Sequence, residues 1–145
     1  MIERVEADLK AARLARDTER VGALSLLLAA LKDVEKAQGS LDESAAIQVL
    51  TRERKRRAEA AESFREGGRE ADAVKEEAEA ALIDGYLPAA LGSDELQELV
   101  QQAIAEVGAT EAKDLGAVMK VLTPRTQGRA DGKAVSTAVR EALGG

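Results

Sequence analysis

The chain has 145 residues, and its composition excludes several kinds of protein at once. It contains no histidine and no cysteine, so it offers no imidazole for proton transfer or metal binding, no thiol nucleophile and no disulfide. Apolar residues make up 45% of the chain, aromatic residues only 1%, and the net charge is −6. The apolar part is therefore mostly Ala, Leu and Val, which favours close helix packing. The negative charge argues against a general nucleic-acid binder.

Apolar spacing predicts two helices at the start of the chain, over residues 2–15 and about 18–37. Asp17 or Thr18 is the expected cap of the second helix, which is the most apolar element and ends at Gly39. No apolar run approaches the roughly 20 residues of a membrane span, and no basic-then-apolar leader pattern is present. We therefore expect a cytoplasmic protein without membrane contact.

The next segment predicts a long helical hairpin. Ser40 and Glu43 have the spacing of a capping box, with Asp42 as an alternative cap, and a third helix extends from there to about residue 66. Gly67 and Gly68 stop it. A fourth helix over about residues 70–86 has its apolar residues on one side, which we expect to be buried; they are Ala71, Val74, Ala78, Ala81 and Leu82.

Pro88 interrupts the helical pattern and marks a domain boundary. Beyond it, Ser93 is the expected cap of a fifth helix that ends at Gly108. Thr110 opens a sixth helix over about residues 111–122, and Asp131 opens a seventh. The prediction is an all-α chain: an N-terminal helical hairpin or bundle domain, residues 1–92, followed by a compact three-helix domain, residues 93–145.

One stretch, MKVLTPRTQGRADGK over residues 119–133, combines turn formers with cations. We expect Pro124 to break a helix and Gly128 to free the backbone before the seventh helix begins. A helix N-terminus offers unpaired N–H groups and a partial positive charge, so it can hold an anion such as phosphate. The alternative is an ordinary helix–turn–helix corner, capped by Asp131 and carrying solvated cations. On spacing alone, that alternative is favoured.

Five motifs carry a family resemblance. They are Ala29-Ala30-Leu31-Lys32, Gly68-Arg69-Glu70, Tyr86-Leu87-Pro88-Ala89-Ala90-Leu91, Gly116-Ala117-Val118-Met119 and Gly128-Arg129-Ala130-Asp131-Gly132-Lys133. With these motifs the chain resembles the GatB/YqeY family, and in particular its free-standing YqeY-like members. The family is similar to the C-terminal tail of the B subunit of glutamine-dependent tRNA amidotransferases, which is thought to help hold tRNA. The resemblance implies a tRNA-binding accessory module.

The resemblance and the local charge together select candidate nucleic-acid contacts. Between residues 111 and 141, six cations face four acidic residues, a local excess in an acidic chain. The candidates are Lys113, Lys120, Arg125, Arg129, Gly132, Lys133 and Arg140. The family commonly has a basic residue where Gln127 stands, so this chain carries less positive charge at the turn. Phosphate contacts of this kind give weak, salt-dependent binding that is independent of base sequence.

A second basic run, Arg52-Glu53-Arg54-Lys55-Arg56-Arg57, has two interpretations. Arg52, Lys55 and Arg56 share a helical face that could follow a phosphate backbone. The alternative is a solvated helix face, because acidic residues are interleaved and no aromatic residue is available to stack bases. We favour the solvated face.

We predict neither an enzyme nor a cofactor or metal site. The carboxylates follow helix-surface patterns that solvated ion pairing explains, and no phosphate-binding loop follows a strand. The related amidotransferase is a carbon–nitrogen ligase that uses glutamine as amido donor, but its chemistry belongs to other domains and subunits. A helical adaptor is the alternative function. Its hairpin, residues 47–82, would dock an amidotransferase subunit or an aminoacyl-tRNA synthetase.

Overall fold

The computed structural model describes residues 1–144, and every regular element within them is helical. The all-α prediction is confirmed. Contacts divide the chain into two compact units, Met1–Leu87 and Pro88–Gly145. The boundary predicted between residues 92 and 93 stays a prediction, and Gly145, the last residue of the predicted second domain, lies outside the described residues. No helix within residues 1–144 is both long and apolar enough to cross a membrane.

The first unit consists of two helical hairpins. Helix α1 (Ile2–Leu14) packs on α2 (Thr18–Gln38), and α3 (Glu43–Glu66) packs on α4 (Glu70–Asp84). Leucine, valine and alanine fill the shared core. Its buried members are Val5, Leu9, Ala12, Leu24, Leu27, Leu31, Ala46, Val49, Leu50, Ile83 and Tyr86.

Aspartates begin the second and third helices. The Asp17 side chain accepts a hydrogen bond from the backbone N–H of Arg20 at 3.1 Å, and that of Asp42 accepts one from Ala45 at 2.7 Å. The predicted capping box at Ser40 is therefore wrong, and the alternative cap is correct. Gly39 adopts a φ of +80° and ends α2, so helical geometry resumes only after Asp42.

The predicted buried face of α4 is also wrong. Ala71, Val74, Ala78 and Ala81 are exposed, and α4 buries Ala73, Ala80 and Ile83. The physical reason is packing on the other helices, because the buried face includes Ile83, which belongs to the core of the first unit, and α3 presents arginines to carboxylates beside that face. Three arginines form four such pairs between the two helices: Arg54 with Asp84, Arg57 with Glu79 at 3.4 Å, and Arg65 with Glu70 at 2.9 Å and with Glu77.

Burial has a cost at Glu79. Removal from water, with the neighbouring Glu76 adding to it, raises the pKa of Glu79 above its ordinary value, although Arg57 opposes the shift. Folding therefore makes protonation of Glu79 easier than it is in the unfolded chain. Its contribution to stability is fully present below the ordinary pKa of a glutamate and is lost as the pH rises through the raised value.

Glu79→Gln should therefore raise the thermal unfolding temperature at pH 7, because it removes a charge that burial disfavours and keeps an oxygen for Arg57. The gain should shrink near pH 4, where Glu79 itself takes up a proton. Scanning calorimetry at both pH values measures this difference. Glu35→Gln, at an exposed position of α2, is the matched control. An equal change in both variants would contradict the prediction.

Tyr86 closes the first unit after α4. Its ring is buried, its hydroxyl donates to the carboxylate of Asp8, and the guanidinium of Arg4 lies 4.7 Å from the ring centre. Arg4 also donates to the carbonyl of Gly85 at 3.0 Å. Burial first, and then the Asp8 carboxylate, raise the pKa of Tyr86 to about 12. The single tyrosine thus ties the end of α4 to α1.

Tyr86→Phe should lower the free energy of unfolding by about 0.5–1.5 kcal/mol, because the phenol is one partner of this hydrogen bond. In the native protein, stability should fall as the pH rises from about 10 to about 12, since the phenol ionises in the unfolded chain there while the buried phenol keeps its proton. The tyrosinate absorbance band reports the ionisation of the buried phenol directly, because Tyr86 is the only tyrosine. Ionisation at the ordinary pKa of tyrosine would contradict the buried placement.

The second unit contains α5 (Ser93–Val107), a short 3-10 helix (Ala112–Asp114), α6 (Leu115–Thr126) and α7 (Gly132–Ala142). Val100, Ala103, Val118, Leu122, Val135 and Val139 form its core. Two predicted starts are corrected. Gly92, not Ser93, is the N-cap of α5, and the sixth helix begins only at Leu115. The 3-10 turn intervenes because the Asp114 carboxylate accepts the N–H groups of Thr110, at 2.9 Å, and Glu111, at 3.1 Å.

Candidate nucleic-acid interface

The turn between α6 and α7 is formed differently from the sequence prediction. Pro124 lies inside α6, which continues to Thr126, so the expected helix break is wrong. A proline inside a helix removes the bond that its own N–H would make and crowds the carbonyl four residues earlier, and α6 ends two residues after Pro124. The buried Thr126 holds the last turn, since its hydroxyl donates to the carbonyl of Leu122 at 3.3 Å. The backbone N–H of Gln127 makes the next helical hydrogen bond, to the Thr123 carbonyl at 3.0 Å.

The reversal itself occurs at residues 127–131. The carbonyl of Thr126 accepts the N–H groups of Arg129, at 2.9 Å, and Ala130, at 3.1 Å. Gly128 adopts a φ of +74°, which a residue with a Cβ seldom tolerates. Helix α7 then starts at Gly132, with Asp131 as its N-cap. The predicted turn and the predicted helix start are both confirmed.

Arg129 is held by the chain itself. Its Nε donates to the carbonyl of Ala89 at 2.9 Å, and one terminal nitrogen lies 3.5 Å from the Glu95 carboxylate. The backbone carbonyl of Arg129 also accepts the N–H of Leu91 at 2.8 Å. This residue therefore ties the segment before α5 to the turn, within the second unit. Arg129 therefore has a structural role, which uses one of its five guanidinium N–H donors in the bond to Ala89.

Two further candidates have acidic partners. Arg125, in the last turn of α6, forms an ion pair with Glu106 of α5 at 2.8 Å, and this hydrogen bond raises the pKa of Arg125. Lys113 pairs with Glu111 at 2.9 Å in the 3-10 helix. Because each of these cations already pairs with a carboxylate, an incoming phosphate would have to displace that carboxylate. Both side chains are exposed, so the existing pairs are weak.

The remaining cations are free of such partners. Lys120, Lys133 and Arg140 are exposed, and none forms an ion pair or a side-chain hydrogen bond within residues 1–144. Lys133 belongs to the first turn of α7. There the Asp131 side chain makes no capping bond, and the exposed Gly132 has no atom near the position of a Cβ. This end of α7 therefore combines uncapped N–H groups with one free ammonium group.

Not all seven candidates gather at the turn. Arg125, Arg129, Gly132 and Lys133 lie on it or beside it. Lys113 precedes the start of α6, roughly 18 Å along the chain axis from Arg125, because an α-helix rises about 1.5 Å per residue. By the same measure Arg140 lies roughly 12 Å along α7 from its start, and Lys120 is intermediate. The structure thus separates a turn group from more distant cations.

The sequence matches a known protein family over nearly its whole length. A family model described as Yqey-like protein matches residues 2–143. The chain belongs to the Yqey-like family. A search of the curated proteins found no match. The resemblance drawn from the sequence motifs is thereby confirmed.

The local charge of this Yqey-like chain is lower than the sequence window indicated. That window began at residue 111 and so omitted α5, which supplies the carboxylates that hold Arg125 and Arg129. Across the whole second unit, eight acidic residues face six cations. The partners Glu95 and Glu106 were missed because their distance in sequence conceals their proximity. The sequence did contain a signal for these partners, because α5 carries acidic residues and no cation and must find its positive charges on other helices.

Arg129→Ala should destabilise the second unit by about 0.5–1.5 kcal/mol, because the side-chain bond to Ala89 is lost. Arg129→Lys should not restore it fully, since an ammonium group cannot reproduce the planar fork of a guanidinium. Chemical unfolding and limited proteolysis at residues 88–92 measure the effect. Lys133→Ala is the matched control and should leave both readouts unchanged. Unaltered stability and proteolysis in Arg129→Ala would contradict the structural role.

Proposed function

We propose that the chain is a non-catalytic tRNA-binding accessory module, which contacts RNA phosphates through the turn between α6 and α7. The observation that carries the proposal is the free Lys133 in the uncapped first turn of α7, beside the exposed Gly132. Membership of the Yqey-like family supports it, through the similarity of that family to a tRNA-holding tail. Arg125 and Arg129 flank the contact.

Charge limits how strong such binding can be. The chain carries a net charge of −6, and carboxylates already hold two of the three cations at the turn. A few phosphate contacts give dissociation constants of roughly 10⁻⁴ to 10⁻⁶ M at physiological salt. Such contacts read the shape of the RNA backbone and not its bases. Lys113, Lys120 and Arg140 stay predictions as additional contacts.

Lys133→Ala should weaken tRNA binding about five- to tenfold near 0.1 M salt and should reduce the slope of log K against log salt by roughly one. One lost phosphate contact accounts for both changes. Asp131→Asn should act in the opposite direction, because it removes the carboxylate next to Lys133 without removing a capping bond. Lys10→Ala, at an exposed position of α1, controls for net charge.

The measurement is a salt titration of binding to deacylated tRNA and to Glu-charged tRNA, with duplex DNA as a control. Preference for the charged form would connect the protein with amidation. Equal losses in Lys133→Ala and Lys10→Ala would assign the binding to net charge and would contradict a site at the turn. Failure to bind any of the three nucleic acids near 0.05 M salt would overturn the proposal.

A further inference from the structure

The outer side of α3 carries charges that the fold does not use. At about 100° per residue, six exposed side chains lie within an arc of about 80°, opposite the residues that face α4. They follow the alternating spacing of four and three residues that defines a coiled-coil seam. We call these residues the α3 outer stripe: Gln48, Arg52, Lys55, Glu59, Glu62 and Glu66.

The charges of the stripe lack partners. Within residues 1–144, none of its five charged members forms an ion pair or a side-chain hydrogen bond. The inner arginines of the same helix differ, since Arg54, Arg57 and Arg65 all bind carboxylates of α4. The fold therefore satisfies one side of α3 and leaves the other unpaired.

The order of the charges disfavours the isolated helix. Arg52 and Lys55 are three residues apart, as are Glu59 and Glu62, so like charges are neighbours on the helix surface. Lys55 and Glu59 have opposite charges, but with lysine on the N-terminal side, which is the weaker orientation. The stripe is thus basic in its first half and acidic in its second.

A single antiparallel register gives four of the five charged residues a partner of opposite charge. It places Arg52 opposite Glu62 of a second copy, and Lys55 opposite Glu59 of that copy. The two-fold axis at the level of residue 57 repeats both pairs and sets Gln48 opposite Glu66. A parallel arrangement would oppose Arg52 to itself. An RNA backbone would meet the acidic half, so it does not fit either.

We propose that the α3 outer stripe is a self-association surface, on which a second copy of this chain binds in antiparallel orientation. The interface is isologous, as expected for a two-fold dimer. Arg56, which flanks the centre of the stripe, stays paired with Glu53 of its own chain at 3.1 Å. Exposed ion pairs without an apolar core associate weakly, so we expect a dissociation constant on the order of 10⁻⁴ M. The inference is independent of RNA binding.

Sedimentation equilibrium of the full chain at about 0.1 M salt, up to about 1 mM protein, tests the proposal. This salt screens the repulsion between two acidic molecules and leaves contact pairs largely intact, whereas about 1 M salt should weaken the dimer at least tenfold. Two charge-block variants extend the test. Arg52→Glu/Lys55→Glu makes the stripe acidic, and Glu59→Lys/Glu62→Lys makes it basic.

Each charge-block variant alone should be monomeric, and an equimolar mixture should recover the association of the native protein, because all four ion pairs can form again. Lys10→Glu/Arg13→Glu changes net charge equally, with the same spacing, on exposed positions of α1, and should still dimerise. Circular dichroism confirms that each variant is folded. A native protein that stays monomeric, or a mixture that fails to associate, would overturn the proposal.

The register has its own test, because the chain contains no native cysteine. Gln48→Cys/Glu66→Cys leaves the four ion pairs in place and should form disulfide-linked dimers on mild oxidation. Gln48→Cys alone should associate like the native protein but form no disulfide-linked dimer, since the two substituted positions lie roughly 27 Å apart in the antiparallel register. Rapid cross-linking of that single variant would indicate a parallel arrangement and overturn the register.

Discussion

Ion pairing within the chain determines which of its positive charges remain available to a partner. The chain has 21 basic and 27 acidic residues, and nine of the cations form ion pairs with carboxylates within residues 1–144. Arg54, Arg57 and Arg65 join α3 to α4, and Arg125 pairs with Glu106. Free cations such as Lys133 therefore carry more functional meaning than the local density of Lys and Arg.

The same pairing shapes the hairpin of the first unit. With almost no aromatic side chains, α3 and α4 approach through buried alanines such as Ala61, Ala73 and Ala80. Arginine–carboxylate pairs complete the contact. Glu79 is partly buried in this contact, and its removal from water raises its pKa. Val74, on another face of α4, is exposed. One largely apolar face of α4 is therefore exposed, while its carboxylates lie against the arginines of α3.

At the turn of the second unit, structural roles and the proposed binding role share a few residues. Thr126 and Gly128 hold the reversal through backbone bonds and a positive φ, and Arg129 fixes the neighbouring segment by its bond to Ala89. These contacts hold the turn before Gly132 and Lys133 in place. The one charged residue among them, Arg129, already has partners within the chain. A rigid support behind a small contact surface is typical of binding sites on helical scaffolds.

The sequence by itself determined the helical class, the number of α-helices within the described residues, most of their ends and the family, because periodicity, glycines and local motifs are properties of neighbouring residues. It also located the turn that carries Lys133. Tertiary structure alone decided which face of α4 is buried, that Pro124 stays within α6, and that Arg125 and Arg129 are held by Glu106 and Glu95. The physical reason is that ion pairs and side-chain packing join residues far apart in the chain, and periodicity contains no information about partners on another helix.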